Sequence, residues 1–215
     1  MNRRRIILSV GVVTLVVFLG ALLVYERYFS GDNRDLAFIT NDTLVRPGSP
    51  VIGPEAAPVT ITEFFDPSCE ACRAIYPTVK QIMMSYPGQV RLVVRYALFH
   101  QGSEEAARIL EAARLQGVFQ PVLEAVLASQ PKWHDDPDAK EAMAAAIRAG
   151  LDLEAAREQM KSAEVDARLA QDMEDVKANG LTKTPTFFVN DQLLTRFGAQ
   201  ELAKLVDDEV ARSRL

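Results

Sequence analysis

Cysteine is scarce in this chain: 215 residues contain two, Cys69 and Cys72. One bridge is the most they can form, which excludes a small disulfide-stapled scaffold without a core of its own. Histidine is as scarce, and His100 and His134 stand apart in the sequence. With no second Cys-x-x-Cys and no histidine pair, the ligand set of a structural zinc site is missing. Positive charge is in deficit too, with 24 Lys+Arg against 29 Asp+Glu. Four of those basic residues and one acidic residue precede Ser30, so the remainder carries 20 against 28, a net charge of −8. That balance argues against a nucleic-acid partner. No internal repeat is visible. What is present in quantity is apolar residues, 48% of the chain, enough for a real core in one domain or one domain plus an anchor.

The anchor reading comes from the N-terminus. Arg3-Arg4-Arg5 precedes an uncharged stretch of 20 residues, Ile6 to Tyr25. As a helix it would span about 30 Å, the thickness of a bilayer's hydrocarbon layer. A cleaved signal peptide competes with this reading, but its apolar region would be about 7–15 residues long and end in a small-x-small site. Leu22-Leu23-Val24-Tyr25-Glu26-Arg27-Tyr28 is a poor cleavage site, and no cysteine lies nearby for lipoprotein processing. The basic tip would stay cytoplasmic and place the rest of the chain outside, with Tyr25, Tyr28 and Phe29 at the outer interface. We therefore expect residues 1–29 to be a basic tip and a single transmembrane helix through residues 6–25, in a bacterial inner membrane. The main domain would then face an oxidising compartment, periplasmic or extracellular.

Residues 30–57 are polar and rich in Gly, Pro, Asp and Asn, and read as a tether with one short strand near Leu44-Val45 or Val51-Ile52. Val59 to Phe65 alternates as a strand. Val59, Ile61, Glu63 and Phe65 share one face, so Glu63 is an acid on an apolar face. It is either an edge residue whose carboxylate reaches water or a buried proton carrier. Asp66-Pro67-Ser68 breaks the strand, and a helix runs from about Cys69 to Ser85 with a kink expected at Pro77. A second strand covers about Val90 to Tyr96. Residues 103–179 look helical, with apolar stripes Ala106, Ile109, Leu110, Ala113 and Val165, Leu169, Met173, Val176. Gly117, the segment 131–137, Gly150 and Gly180 cut this block into four or five helices. Thr186 to Asn190 is a third strand, turning at Asn190-Asp191 into Gln192 to Thr195, and Gln200 to Ala211 is the last helix. The pattern is α/β. Its segments are residues 58–100, a helical insertion over residues 101–180, and residues 181–215. Met83 and Met84 read as core filling, Trp133-His134 as a loop anchored by its tryptophan, His100 as local structure, and Glu174-Asp175 as a solvated helix face.

The chemistry lies in Cys69-Glu70-Ala71-Cys72, delivered by a strand to a helix N-terminus. The attacking species in disulfide exchange is a thiolate. At a helix start, unpaired N–H groups and the dipole favour negative charge, so Cys69 suits the nucleophile. Cys72, one turn in, suits the resolving thiol. A purely structural bridge this short would gain little loop-closure entropy. A tethered binding module or Cu(I) carrier with the cysteines as ligands is the reading from another class, since soft thiolates suit Cu(I).

The segments Glu63-Phe64-Phe65-Asp66-Pro67-Ser68-Cys69-Glu70-Ala71-Cys72 and Lys183-Thr184-Pro185-Thr186-Phe187-Phe188-Val189-Asn190 resemble the thioredoxin superfamily. The long helical block between them resembles its DsbA-like branch, and the likeness covers roughly residues 44 to 213. It implies a thioredoxin fold with an inserted helical subdomain and a protein disulfide oxidoreductase. In that family's terms Cys69 attacks, Cys72 resolves, and the two form the redox-active disulfide. Pro185 is cis beside the bound substrate, Thr184 offers its backbone to an extended peptide, and Glu63 takes the proton of the resolving cysteine. No metal or organic cofactor is implied. The implied partners are cysteine-containing exported proteins and a membrane redox partner that resets the pair. One departure stands out. Strongly oxidising members carry a histidine between the cysteines, where this chain has Glu70-Ala71. A carboxylate beside the thiolate would raise the pKa of Cys69 and make a weaker oxidant.

Overall fold

The centre of the molecule is one strand buried on both faces. β2 (Val59–Phe65) has all seven residues buried and is the third strand of a five-stranded mixed sheet. The structure, a computed structural model, describes residues 41–214 together with Gly20. The expected membrane span at residues 6–25, apart from Gly20, and the tether up to residue 40 lie outside the described residues. Among the described residues no helix is long and apolar enough to cross a membrane.

In chain order, a helical turn α1 (Asn41–Leu44) and a two-residue strand β1 (Val51–Ile52) precede β2. Then come α2 (Glu70–Ser85), β3 (Val90–Tyr96), α3 (Ser103–Leu115), α4 (Phe119–Ser129) and a 3-10 turn at Gln130–Lys132. α5 (Lys140–Arg148), α6 (Leu153–Gln159) and α7 (Ala163–Ala178) follow, before β4 (Thr186–Val189), β5 (Gln192–Leu193) and α8 (Ala199–Arg212). Of the two sites expected for the first strand, Val51–Ile52 is the strand, while Leu44 ends a helical turn and is fully buried. β5 is shorter than expected, at two residues.

The sheet order is β1-β3-β2-β4-β5. β2 runs parallel to β3 and antiparallel to β4, so it has a partner on each side. The parallel pair is joined through α2, as a crossover requires. Register sets the faces. Glu63 lies opposite Val94 on one side and Phe187 on the other. Its face carries Val59, Ile61 and Phe65 into the main core, with Ile75 and Val79 of α2, Leu202 and Val206 of α8, and Ile109 and Leu110 of α3. The opposite face carries Phe64, packed edge-on against Phe188 at 6.0 Å between ring centroids and lying 5.5 Å from the Arg95 guanidinium.

That second face holds a buried ion cluster. Arg95 is fully buried. Its guanidinium pairs with Asp172 at 2.8 Å and Asp175 at 2.6 Å, both on α7, and donates to the carbonyls of Thr43 and Leu44. Arg46 makes two bonds to Asp175, and Asp172 also accepts the backbone N–H of Tyr96. Asp175 is therefore not on a solvated face, as its neighbour Glu174 suggested. Two guanidiniums draw it inward, and it is 3% exposed. Met84 departs in the other direction, at 70% exposed, because α2 turns that side away from the sheet. Met83 packs against the core. Trp133 anchors its loop as expected, with Nε1 donating to the carbonyl of Val126 and to Ser129 Oγ.

Candidate active site

β2 ends at Phe65, and the chain turns through Asp66-Pro67-Ser68 before α2 starts at Glu70. Cys69 is the N-cap of α2, with an extended backbone (φ −73°, ψ 121°) that aims it at the open helix end. Its side chain makes no cap hydrogen bond, but it lies close enough to that end for the N–H groups of Ala71 and Cys72 to favour its anion. Cys69 Sγ also lies 3.5 Å from the carbonyl oxygen of Thr184, across the site from α2. The Thr184–Pro185 peptide is cis. Both cysteines are free thiols. Cys69 keeps 6% exposure and Cys72 none.

The two sulfurs are tuned in opposite directions. A hydrogen bond from the Cys72 thiol, helped by the helix-end amides, outweighs burial and draws Cys69 down to about 5. Burial pushes Cys72 far up, reinforced by its bond to Cys69 and by the nearby Glu63 and Cys69 charges. One sulfur is an anion at neutral pH, and its neighbour keeps its proton.

Glu63 lies beneath them. The edge alternative fails because β2 is the central strand, so the side chain is 1% exposed between apolar cross-strand neighbours. Burial first, then the negative charge of Cys69, push its carboxyl up to about 8. Oε1 has no hydrogen-bond partner among the described residues.

A family model described as Thioredoxin matches residues 46–208. The chain belongs to the thioredoxin family. A solved thioredoxin-like oxidoreductase from Silicibacter pomeroyi is 33% identical, with a TM-score of 0.70 over 81% of this chain and 98% of that one. The thiol–disulfide exchange protein α-DsbA2 of Wolbachia pipientis shares the fold at 21% identity, with a TM-score of 0.72 over 83% of this chain and 97% of its own. The Na(+)/H(+) antiporter NhaA 3 of Salinispora tropica is 34% identical over 143 residues, 65% of this chain and 21% of that protein. The chain thus spans about a fifth of that curated relative's length.

This thioredoxin-family site has members that spacing alone did not reveal. Asp66, read from the sequence only as part of a strand break, is a fully buried hub. Its carboxylate accepts from the N–H of Ser68, the N–H of Phe99, the N–H of His100, the His100 ring at 2.7 Å and the hydroxyl of Ser103. Its own N–H lies 3.5 Å from Cys72 Sγ. The bond to Ser68, two residues on, is an Asx-turn, and Asp-Pro-Ser carried that signal. His100 is more than local structure. Burial lowers its ring's proton affinity, but Asp66 and the Cys69 charge outweigh this and raise it. Gly102, in the left-handed region at φ +71°, lets the loop pass Asp136, whose carbonyl oxygen would lie 2.5 Å from any Cβ there. Gln130, from the helical insertion, donates to the carbonyls of Pro67 and Cys69.

Glu70 does not have the effect its position suggested. It is exposed and is not among the groups that set Cys69, whose net shift is downward. Ala71, half-buried, contributes its backbone N–H. Among the described residues no group of three or more His, Cys, Asp or Glu could hold a metal ion. The arrangement can form a thiolate, present it beside the cis Thr184–Pro185 peptide, and supply a second thiol and a buried acid behind it.

Proposed function

We propose that this chain is an exported, membrane-tethered protein thiol–disulfide oxidoreductase that exchanges a Cys69–Cys72 disulfide with cysteines of other exported proteins. The observation that carries the reading is the opposed tuning of the two sulfurs, about 5 for Cys69 and strongly raised for Cys72. In the reducing direction the Cys69 thiolate attacks one sulfur of a substrate disulfide, and the other sulfur leaves as a thiolate. The mixed disulfide carries no charge on Cys69. That charge is one of the two causes holding the Glu63 proton, so its loss lets Glu63 give that proton up through solvent to the departing substrate thiolate, and the carboxylate then accepts the Cys72 proton. The Cys72 thiolate attacks Cys69 Sγ, the internal disulfide forms, and the second substrate sulfur leaves reduced. The oxidising direction is the same sequence reversed, with Glu63 returning the proton to Cys72. Thr184 and Pro185 line the side from which an extended substrate chain would pair with the backbone. A membrane redox partner resets the pair.

The potential follows from the thiolate. Thioredoxin, with a nucleophile near 7, sits near −270 mV, and DsbA, near 3.5, sits near −120 mV. A Cys69 pKa of about 5 lies between those two, and so should the couple. Equilibration with glutathione measures it, and a value outside that interval overturns the argument. Insulin reduction and refolding of a scrambled disulfide protein test the exchange itself. Cys72→Ser should trap mixed disulfides and Cys69→Ser should not. Stoichiometric Cu(I) binding without turnover would replace this reading with the metal carrier. Protease accessibility on intact spheroplasts, with and without residues 1–29, tests export and tethering.

A further inference from the structure

Gln130 is fully buried and has both amide donors committed at one place. Nε2 donates to the carbonyl of Pro67 at 2.7 Å and to the carbonyl of Cys69 at 3.0 Å. Oε1 accepts from Arg73 Nε at 2.8 Å. The side chain comes from the 3-10 turn after α4, in the helical insertion, and meets the loop just before α2 and the first turn of that helix. Its two donors end on the peptide units on either side of the Ser68-Cys69 pair, and so bracket the nucleophile.

We infer that Gln130 is a positioning residue for Cys69: through the carbonyls of Pro67 and Cys69 it fixes the loop so that the sulfur stays at the open end of α2. The inference rests on the exchange reading and adds to it a group from a separate part of the fold. Two physical effects act together. Together with the Arg73 N–H, which also reaches the Cys69 carbonyl, the paired bonds hold the N-cap backbone that places the sulfur at the open end of α2. They also cover the negative ends of two peptide dipoles beside a developing thiolate, which would otherwise oppose its charge. Arg73 keeps the amide from flipping, because Oε1 must face its guanidinium and Nε2 must then face the loop.

The test is the pH profile of Cys69 alkylation by iodoacetamide in the reduced full-length chain. Gln130→Met keeps the length of the side chain and removes both donors. Its alkylation midpoint should rise by about one unit, a tenfold loss of thiolate below the midpoint. Disulfide exchange should fall about fivefold at pH 5 and change little at pH 8, where both proteins are ionised. Trp133→Phe, in the same turn, loses the indole bonds to Val126 and Ser129 and should lower the melting temperature without moving the alkylation midpoint. Gln130→Glu keeps shape and the Arg73 contact while setting a carboxylate against the two carbonyls. It should raise the midpoint further, and it serves if the methionine variant does not fold. A variant midpoint equal to wild type overturns the inference and leaves the proposed function standing. Absence of exchange by the wild-type chain overturns the function, while the midpoints still decide the role of Gln130.

Discussion

Two buried acids lie on opposite sides of the same sheet and are treated in opposite ways. Asp175 meets Arg95 and Arg46 on the face that carries Phe64, with a second acid, Asp172, and several backbone groups completing the cluster, and the two guanidiniums outweigh burial and hold its carboxyl below the usual range. Glu63, on the other face, sits between Val94 and Phe187 with one carboxyl oxygen unpartnered among the described residues. Burial of a charge is tolerated when partners satisfy it and is otherwise relieved by taking up a proton. The Arg95 cluster takes the first route and ties α7 and the α1 segment to β3. Glu63 takes the second, and a proton it binds reluctantly or readily, depending on a neighbouring sulfur, is useful in exchange.

The contrast can be broken at its strongest point with Arg95→Met. Two carboxylates would then lose their main partner, and stability should fall by about 3–5 kcal/mol in urea titration, while the Cys69 alkylation midpoint stays where it was. A loss under about 1 kcal/mol would mean the cluster does not hold the frame. Glu63→Gln should do the reverse. Folding should not weaken, because an ionisable group leaves an apolar site, but resolution of the mixed disulfide should slow about a hundredfold, the low end of what a positioned proton carrier supplies. Equal single-turnover rates for wild type and variant would remove Glu63 from the proton path.

A subtler consequence concerns stability against pH. The Glu63 carboxyl goes from 4.5 in the unfolded chain to about 8 in the fold, so between those values the folded state binds the extra proton and stability falls as pH rises. The Cys69 thiol goes from 9.0 to about 5, so between those values the unfolded state binds the extra proton and stability rises with pH. From pH 5 to 8 the two slopes cancel: folding moves one proton from Cys69 to Glu63. The wild-type chain should therefore show little pH dependence from this pair in that window. Glu63→Gln should tilt the curve upward by about 1 kcal/mol per pH unit, and Cys69→Ser should tilt it downward. Parallel curves for all three proteins would break the coupling. The smallest expected effect is that of Glu70→Gln. The residue is exposed, and salt at 0.15 M screens it, so the alkylation midpoint should move by a few tenths of a unit at most. A larger shift would restore the argument from the motif's interior.

Much of this was legible in the chain itself. The alternation from Val59 to Phe65, the Cys-x-x-Cys after it and Thr184-Pro185 before the next strand locate the strands and the redox pair, because period and turn chemistry are local signals. Glu63 was visible as an acid in an apolar stripe, although only the strand order placed it in the middle of the sheet. Asp175 was misread for the complementary reason, since its partners Arg46 and Arg95 stand 129 and 80 residues away. Gln130 carried no signal at all. It is one polar residue at the end of an apolar helix, and its meaning lies in two carbonyls more than 60 residues upstream. The tuning of Cys69 could be inferred in sign from the helix start, but its main cause, the neighbouring thiol, is a matter of side-chain geometry.

The contact between Cys69 and the Thr184 carbonyl spans 115 positions of the chain. During synthesis the cysteine pair therefore emerges well before the segment that will face it. A ribosome-bound or truncated chain ending before residue 184 would expose two thiols without their far wall. Until the Thr184–Pro185 segment docks, the Cys69 sulfur lacks the carbonyl that covers it in the fold, so a chain stopped short of it would leave that sulfur open to adventitious disulfides.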